Sequence, residues 1–356
     1  MIKQLVTGQT TDQHKKKDIL AYQKYDYITV VGASYMSFGE HIRDVAGMDA
    51  RGNKMRFVNQ GIRQIRLYPK PTEDFTIQRI FLIFIEDYPR NLLDKIKNVV
   101  ESRYGAAYRE LDNISQFVDF VNGRIQKKRF IRQLDIFSHG VVGSIEFGYA
   151  LKKAGTYRFR NAQAKMLQQD AFEHDAKFYS YACRTGLGID EGSYVKPGVD
   201  PCYEKSLAQI IADAADVEVW AFPKKSNYDM TYGTVEQRRI GNETVDKIRK
   251  YNDAMDQYRI DIRDYQARLS IYQKTKDSSA KRLPSEQPPS APAKDFNEED
   301  ERLAKHELSR RENRRYFGYP LDEEGAVSPV RSGRDPAGLP PGLLQYLPRS
   351  WNEVKT

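Results

Sequence analysis

Five short apolar runs, rich in β-branched and aromatic residues, constrain the fold of this chain more than any other feature. They are YDYITVV (25–31), RIFLIFI (79–85), RQLDIFS (132–138), AKFYSYA (176–182) and VEVWAF (217–222). Segments with helical spacing lie between them. Leu92, Ile96, Val99 and Val100 share a face of 91–104, and Ile114, Phe117, Phe120 and Val121 share a face of 113–125. Residues 161–172 and 206–216 read as helices too, the second with Ser206 as its N-cap. Strands alternating with helices predict an α/β domain over 25–235, with a mostly parallel sheet covered by helices on both faces as a three-layer sandwich. In such sheets ligands bind beyond the carboxyl ends of the strands.

After about residue 235 the pattern changes. From Ile248 an apolar seam steps three then four residues through Tyr251, Met255, Tyr258, Ile262, Tyr265, Leu269 and Tyr272. This heptad pattern predicts a long helix over 236–275. Its Tyr rings can bury their faces while their hydroxyls stay wet. The seam could pack on its own domain or in an antiparallel helix pair, or it could meet a partner helix or a second copy through 248–272. Residues 276–296 are a Ser/Pro-rich linker by composition, and 297–317 read as a charged helix. The Pro/Gly-rich tail to residue 356 has a few apolar anchors (Leu343, Leu344, Tyr346, Leu347, Trp351) and is expected to be disordered until it finds a groove. Residues 1–24 are read as an N-terminal extension.

Composition excludes several classes. No stretch approaches the roughly 20 apolar residues of a membrane helix. The first residues lack the apolar core of a secretory signal. A cytoplasmic protein is expected, with export that needs no cleaved signal left open. The net charge of +8 is spread along the chain. Its tightest basic clusters, 14–18 and 124–132, come with no nucleic-acid motif and read as solvated faces. Cys183 and Cys202 are the only cysteines, so neither a disulfide scaffold nor a four-cysteine zinc site can form. His14, His41, His174 and His306 lack metal-ligand spacing with a second His or Cys. There is no G-x-S-x-G elbow, P-loop or G-x-G-x-x-G, and no cofactor or metal is expected.

Two strand ends carry reactive side chains, His139 in LDIFSHGVVGS and Cys183 in KFYSYACRTG. One predicted helix lies between them. A right-handed crossover between adjacent parallel strands would bring both to one edge of the sheet. A thiol becomes a useful nucleophile when an imidazole or oriented N–H groups favour its thiolate, and the imidazole can then protonate a leaving amine. Gly140 would let a substrate backbone approach, and N–H groups near Gly140 and Cys183 could face an oxyanion. The plainer alternatives are an inert buried thiol, a histidine that caps its strand, or a Cys183–Cys202 disulfide.

An apolar block ending in His139-Gly140, then a second ending in Ala182-Cys183, resembles the signature of the caspase-like cysteine peptidases. That resemblance implies hydrolysis of a protein or peptide substrate through a thioester on Cys183, with His139 as acid and base. Tyr181, two before the nucleophile, is neither the Gln typical of caspases nor the Asp of metacaspases, so the pocket it helps shape has no assigned preference. Ser138 and Arg184 flank the two motifs and join Tyr181 as candidate substrate contacts. Glu146, Asp190, Glu191 and Asp229 are acids near the expected cleft and could favour a basic side chain. A hydrolase without an export signal would suit a bacterial effector or toxin. The alternative is a caspase-like fold without turnover that binds a partner through its C-terminal helix and tail.

Overall fold

All five apolar runs become strands of one sheet. The computed structural model describes residues 24–33, 55–72, 76–86, 88–148, 154–190, 192–228, 231, 233–275, 287–313 and 321–353. In chain order the sheet region runs β1 (Lys24–Val31), α1 (Arg56–Leu67), β2 (Thr76–Phe84), α2 (Arg90–Asn98), β3 (Ala107–Leu111), α3 (Ile114–Gln126) and β4 (Phe130–Phe137). It continues through β5 (His139–Val141), β6 (Ser144–Glu146), β7 (Arg158–Arg160), α4 (Asn161–Ala164), β8 (Phe172–Ser180), α5 (Leu207–Ala215), β9 (Glu218–Ala221) and β10 (Ser226–Asn227). Then come α6 (Val235–Thr275), α7 (Glu298–Asn313), β11 (Arg331–Ser332), β12 (Leu344–Tyr346) and α8 (Ser350–Glu353).

The main sheet has seven strands in the order β12-β9-β8-β4-β1-β2-β3. Its pairings are parallel except at one edge, where β12 runs antiparallel to β9. From β1 the chain winds outward through β2 and β3, then returns to lay β4, β8 and β9 on the other side. The switch therefore falls between β1 and β4, and a crevice opens at their carboxyl ends. Parallel strands are buried on both faces, so they read as continuous apolar runs rather than alternating ones. One apolar layer joins Ile28, Val30, Leu134 and Ile136 to Phe117 and Val121 of α3 and to Leu207 and Ile211 of α5. The opposite layer joins Val31, Phe81 and Phe137 to Phe57, Val58, Ile62 and Ile65 of α1 and to Leu93 and Ile96 of α2.

Under the amino ends of the strands, Asp26 is fully buried between Arg124, at 3.1 Å, and Arg129, at 2.5 Å. As expected, α5 is capped by Ser206, whose Oγ accepts the Gln209 N–H at 3.2 Å.

The crossover from β4 to β8 differs from the expected helix over 161–172. Its described residues form the antiparallel β5-β6-β7 sheet, the four-residue α4 and two short 3-10 turns. The helix stops because Asn122 of α3 takes up the backbone beyond it, donating to Met166 O at 2.9 Å and accepting the Gln168 N–H at 3.0 Å. The apolar residues of that stretch, Ala164, Leu167 and Ala171, still reach the core.

The described part of the tail corrects the expectation of disorder. Its anchors had a groove within the same chain. Leu344–Tyr346 extends the sheet, and the Tyr346 hydroxyl donates to Gly186 O at 2.5 Å. The side chain of Gln60 on α1 donates to Ser328 O at 2.8 Å, and the Asp322 N–H bonds to Asn59 Oδ1 at 3.0 Å. Helix α1 and strand β3 were not anticipated.

The chain divides into two compact units. One holds the three sheets with their helices and residues 321–353. The other, Gly233–Glu312, holds all of α6 and all of α7 but its last residue. The helices are thus an insertion between β10 and β11. Within this second unit Tyr251 meets Phe296 edge-on at 5.8 Å and Leu303 and Ala304 are buried. No described helix is long and apolar enough to cross a membrane. The readings of residues 1–23, 276–286, 314–320 (the end of the charged helix expected over 297–317) and 354–356 lie outside the described residues.

Candidate functional site

His139 and Cys183 line one pocket of about 280 Å³. Arg56, Phe57, Ser138, Lys225, Ser226, Asn227, Tyr228, Gly333, Arg334 and Asp335 complete its lining. The geometry follows from the sheet. Strands β4 and β8 are parallel neighbours, with Ile136 opposite Ser180, so residues just past their ends emerge side by side. Gly140 lies so close to the next turn that a Cβ there would sit 2.6 Å from Cys183 O and 2.9 Å from Cys183 N. Only glycine permits that approach.

His139 is 8 % exposed and held on two sides. The Phe57 ring meets it edge-on at 4.8 Å and in turn meets Tyr228 edge-on at 4.8 Å. Arg56 Nη2 stands 3.3 Å from His139 Nε2. A guanidinium has no acceptor, so this contact requires a lone pair on Nε2 and assigns the ring proton to Nδ1.

Cys183 is partly exposed and carries no disulfide. Among the described residues every hydrogen-bond partner of its sulfur is on Ser226. The Ser226 N–H donates to Sγ at 3.2 Å, Ser226 Oγ lies 3.1 Å from it, and Ser226 O lies at 4.0 Å. The imidazole and the sulfur therefore share the pocket without bonding each other in this state. Cys202, the expected alternative disulfide partner, is also free.

The other candidate residues separate. Ser138 lines the pocket, and its Oγ is committed to Glu146 O at 2.6 Å. Tyr181 lies beneath the pocket, stacked on Phe137 at 4.7 Å, and its carbonyl accepts from the Tyr228 hydroxyl at 3.0 Å. Arg184 pairs with Asp190 at 3.1 Å, and neither residue belongs to the lining. Glu146 is buried and bonded to Ser144 at 2.7 Å and Arg158 at 3.0 Å. Glu191 and Asp229 lie outside the described residues. Instead of an acidic wall, the described lining carries Arg56, Lys225 and Arg334 against one carboxylate, Asp335. That carboxylate is paired with Lys225 at 3.3 Å.

Sequence reasoning missed the pocket walls made by α1, β10 and the 333–335 turn. A signal existed for α1, whose Val58, Ile62 and Ile65 have helical spacing and are buried. No local signal marks Ser226 or Gly333–Asp335, because their position comes from pairing between β10 and β11.

Strand β4 also carries a fully buried carboxylate, four residues before His139. Asp135 accepts from the Tyr68 hydroxyl at 2.5 Å and from Gln133 Nε2 at 2.8 Å, while its Oδ1 has no hydrogen-bond partner. Burial pushes its pKa up to about 7, against the lowering effect of those donors and of Tyr181. Burial likewise lifts the Tyr68 and Tyr228 hydroxyls well above the ordinary tyrosine range, with nearby Cys183 adding to the effect on Tyr228.

Two other places bring polar or ligand-type side chains together. A larger pocket of about 650 Å³ opens where β4 and β8 begin, lined by Phe130, Phe172, His174 and Asp216 among others. Parallel sheets present their reactive groups at the other end, and this pocket contains no cysteine. The ligand atoms of Asp200, Cys202 and Glu204 lie within 4.8 Å of one another. However, Asp200 already accepts the Cys202 N–H at 2.9 Å and Lys205 Nζ lies 4.0 Å from the sulfur, so the trio has partners of its own.

No family model matches the chain, and no curated protein matches it. Among solved structures, that of BdcA in complex with NADPH is similar over 57% of this chain and 70% of that one, at 12% identity and a TM-score of 0.25. A likeness this slight carries no argument about fold or function.

Proposed function

We propose that the protein is a cysteine peptidase of caspase-like type, with Cys183 as nucleophile and His139 as acid and base. The observation that carries this reading is the shared pocket. A thiol and an imidazole, from the carboxyl ends of adjacent parallel strands, line one cleft beside the topological switch.

The chemistry follows from the atoms present. The Cys183 proton passes to His139 as Sγ bonds to the carbonyl carbon and the C=O π pair moves onto oxygen. That oxyanion needs donors. Among the described residues the Cys183 N–H makes no hydrogen bond. Gly140 pairs with Ile145 next to the Val141–Ser144 hairpin closure. Antiparallel alternation turns the Gly140 N–H away from β6. Collapse of the intermediate breaks the C–N bond, and the amine departs with the imidazolium proton. Water, deprotonated by His139, then hydrolyses the thioester and restores the thiol. Because Arg56 occupies Nε2, the imidazole accepts a proton there only after that guanidinium moves off. The surplus of Arg56, Lys225 and Arg334 over Asp335 favours an anionic substrate group near the scissile bond.

Incubation with a diverse peptide library tests the reading. Cleavage by the wild type should fall by at least about 1,000-fold in Cys183→Ala and in His139→Ala. Cleavage that persists in Cys183→Ala rules the reading out. The competing reading, a partner-binding protein without turnover, is favoured by the engagement of Sγ with Ser226 rather than His139. It predicts no cleavage by any form.

A further inference from the structure

We infer that Ser226 is the positioning residue of the Cys183 sulfur, held in place by a strand that returns from beyond the helical insertion. The inference rests on Cys183 being the nucleophile and adds how its sulfur is held and tuned.

Three atoms of one residue surround the sulfur. The N–H and the hydroxyl of Ser226 lie 3.2 and 3.1 Å away and its carbonyl lies 4.0 Å away. A hydroxyl can turn, accepting from a thiol and donating to a thiolate, while the N–H donates to both. On loss of the thiol proton, Ser226 thus presents two donors to the new charge, and such donors favour the anion.

The backbone of Ser226 is aimed by its partner strand. Ser226 pairs with Ser332. The groups on either side of this pair close the strands: Gly333 N–H donates to Lys225 O at 2.6 Å and Lys225 N–H donates to Asp335 O at 2.6 Å. At such a position in an antiparallel pair the Ser226 N–H faces away from β11, and it points at the sulfur. The Lys225–Asp335 ion pair, at 3.3 Å, closes the same pair from outside. Residues 231 and 327 are bonded too, Val327 N–H to Thr231 O at 2.8 Å.

The test is alkylation of Cys183 by iodoacetamide, read by mass spectrometry from pH 6 to 9 in the full chain, which needs no substrate. Ser226→Ala removes the hydroxyl. Gly333→Ala leaves the sulfur's partners intact, but a Cβ there would lie 2.8 Å from Lys225 O, so β11 must shift. Both variants should label about tenfold more slowly at pH 7, with the pH profile moved upward, and Ser226→Thr should restore the wild-type profile. Unchanged melting curves and labelling of Cys202 control for folding. If the wild type labels Cys183 faster than Cys202 but Ser226→Ala leaves rate and profile unchanged, the inference fails and the peptidase reading survives. If wild-type Cys183 labels no faster than Cys202, both fall.

Discussion

Asp135 makes the folded state sensitive to pH in an unusual direction. Its pKa rises from 3.8 to about 7 because the fully buried carboxylate has lost water that Tyr68 and Gln133 only partly replace. Between those values the folded chain holds the proton and the unfolded chain releases it. The unfolded state therefore binds fewer protons, and stability falls as pH rises from about 4 to about 7, then stays level above. At about 1.36 kcal/mol per pH unit, the full loss is about 4 kcal/mol. Asp135→Asn keeps the size and removes the charge. Other groups titrate over the same range, so the informative quantity is the difference between the two proteins. Urea unfolding followed by tryptophan fluorescence isolates it, since both tryptophans, Trp220 on β9 and Trp351 on α8, belong to the sheet unit. Relative to wild type, the Asn variant should gain about 1.4 kcal/mol for each pH unit from 4.5 to 6.5 and nothing further above about 7.5. A difference that stays constant over that range, or that shifts in favour of wild type as pH rises, would refute the assignment of a buried, protonated carboxylate.

Three further outcomes are expected. Asp26→Ala leaves Arg124, 4% exposed, without its buried counter-charge and should cost about 3–5 kcal/mol in the same urea assay. Tyr346→Phe removes the bond to Gly186 O and should cost about 1 kcal/mol, whereas Tyr346→Ala also opens a cavity beneath β12 and should cost about 3–5 kcal/mol; equal losses would show that the hydroxyl alone matters. On the proposed peptidase reading, Arg334→Glu reverses one charge of the exposed rim and should slow cleavage of acidic peptides about tenfold at low salt, with the effect shrinking at high salt. A salt-independent loss would indicate a folding defect instead.

The sheet was legible because parallel strands buried on both faces must be apolar throughout. Ile28, Val30 and Val31 in β1, and Ile80 to Phe84 in β2, have no other use for their side chains. The cap of α5 was legible for a similar reason, since a single side chain satisfies a nearby backbone group. What escaped has partners far away in the chain. The three residues of β12 form a strand only because β9 offers them an open edge and Tyr346 reaches a carbonyl 160 residues away. Helix 161–172 was overpredicted because its apolar spacing is genuine, but Asn122 claims its backbone first.

The same distinction explains how the candidate site is built. His139, Gly140 and Cys183 stand at ends of strands whose neighbours the sequence implies, so their meeting follows from local pattern plus the handedness of the crossover. Arg56 and Phe57 enter from the start of a helix on the opposite layer, and Ser226 and Gly333–Asp335 enter through a two-stranded pairing that spans the inserted helices. The groups that would perform bond-making are therefore supplied by the sheet, while those that set their state come from segments joined to it late in the chain. A motif search finds only the first set. Two chains with the same His-Gly and Ala-Cys ends could thus differ widely in reactivity, according to whether a distant strand holds a hydrogen-bond donor against the sulfur.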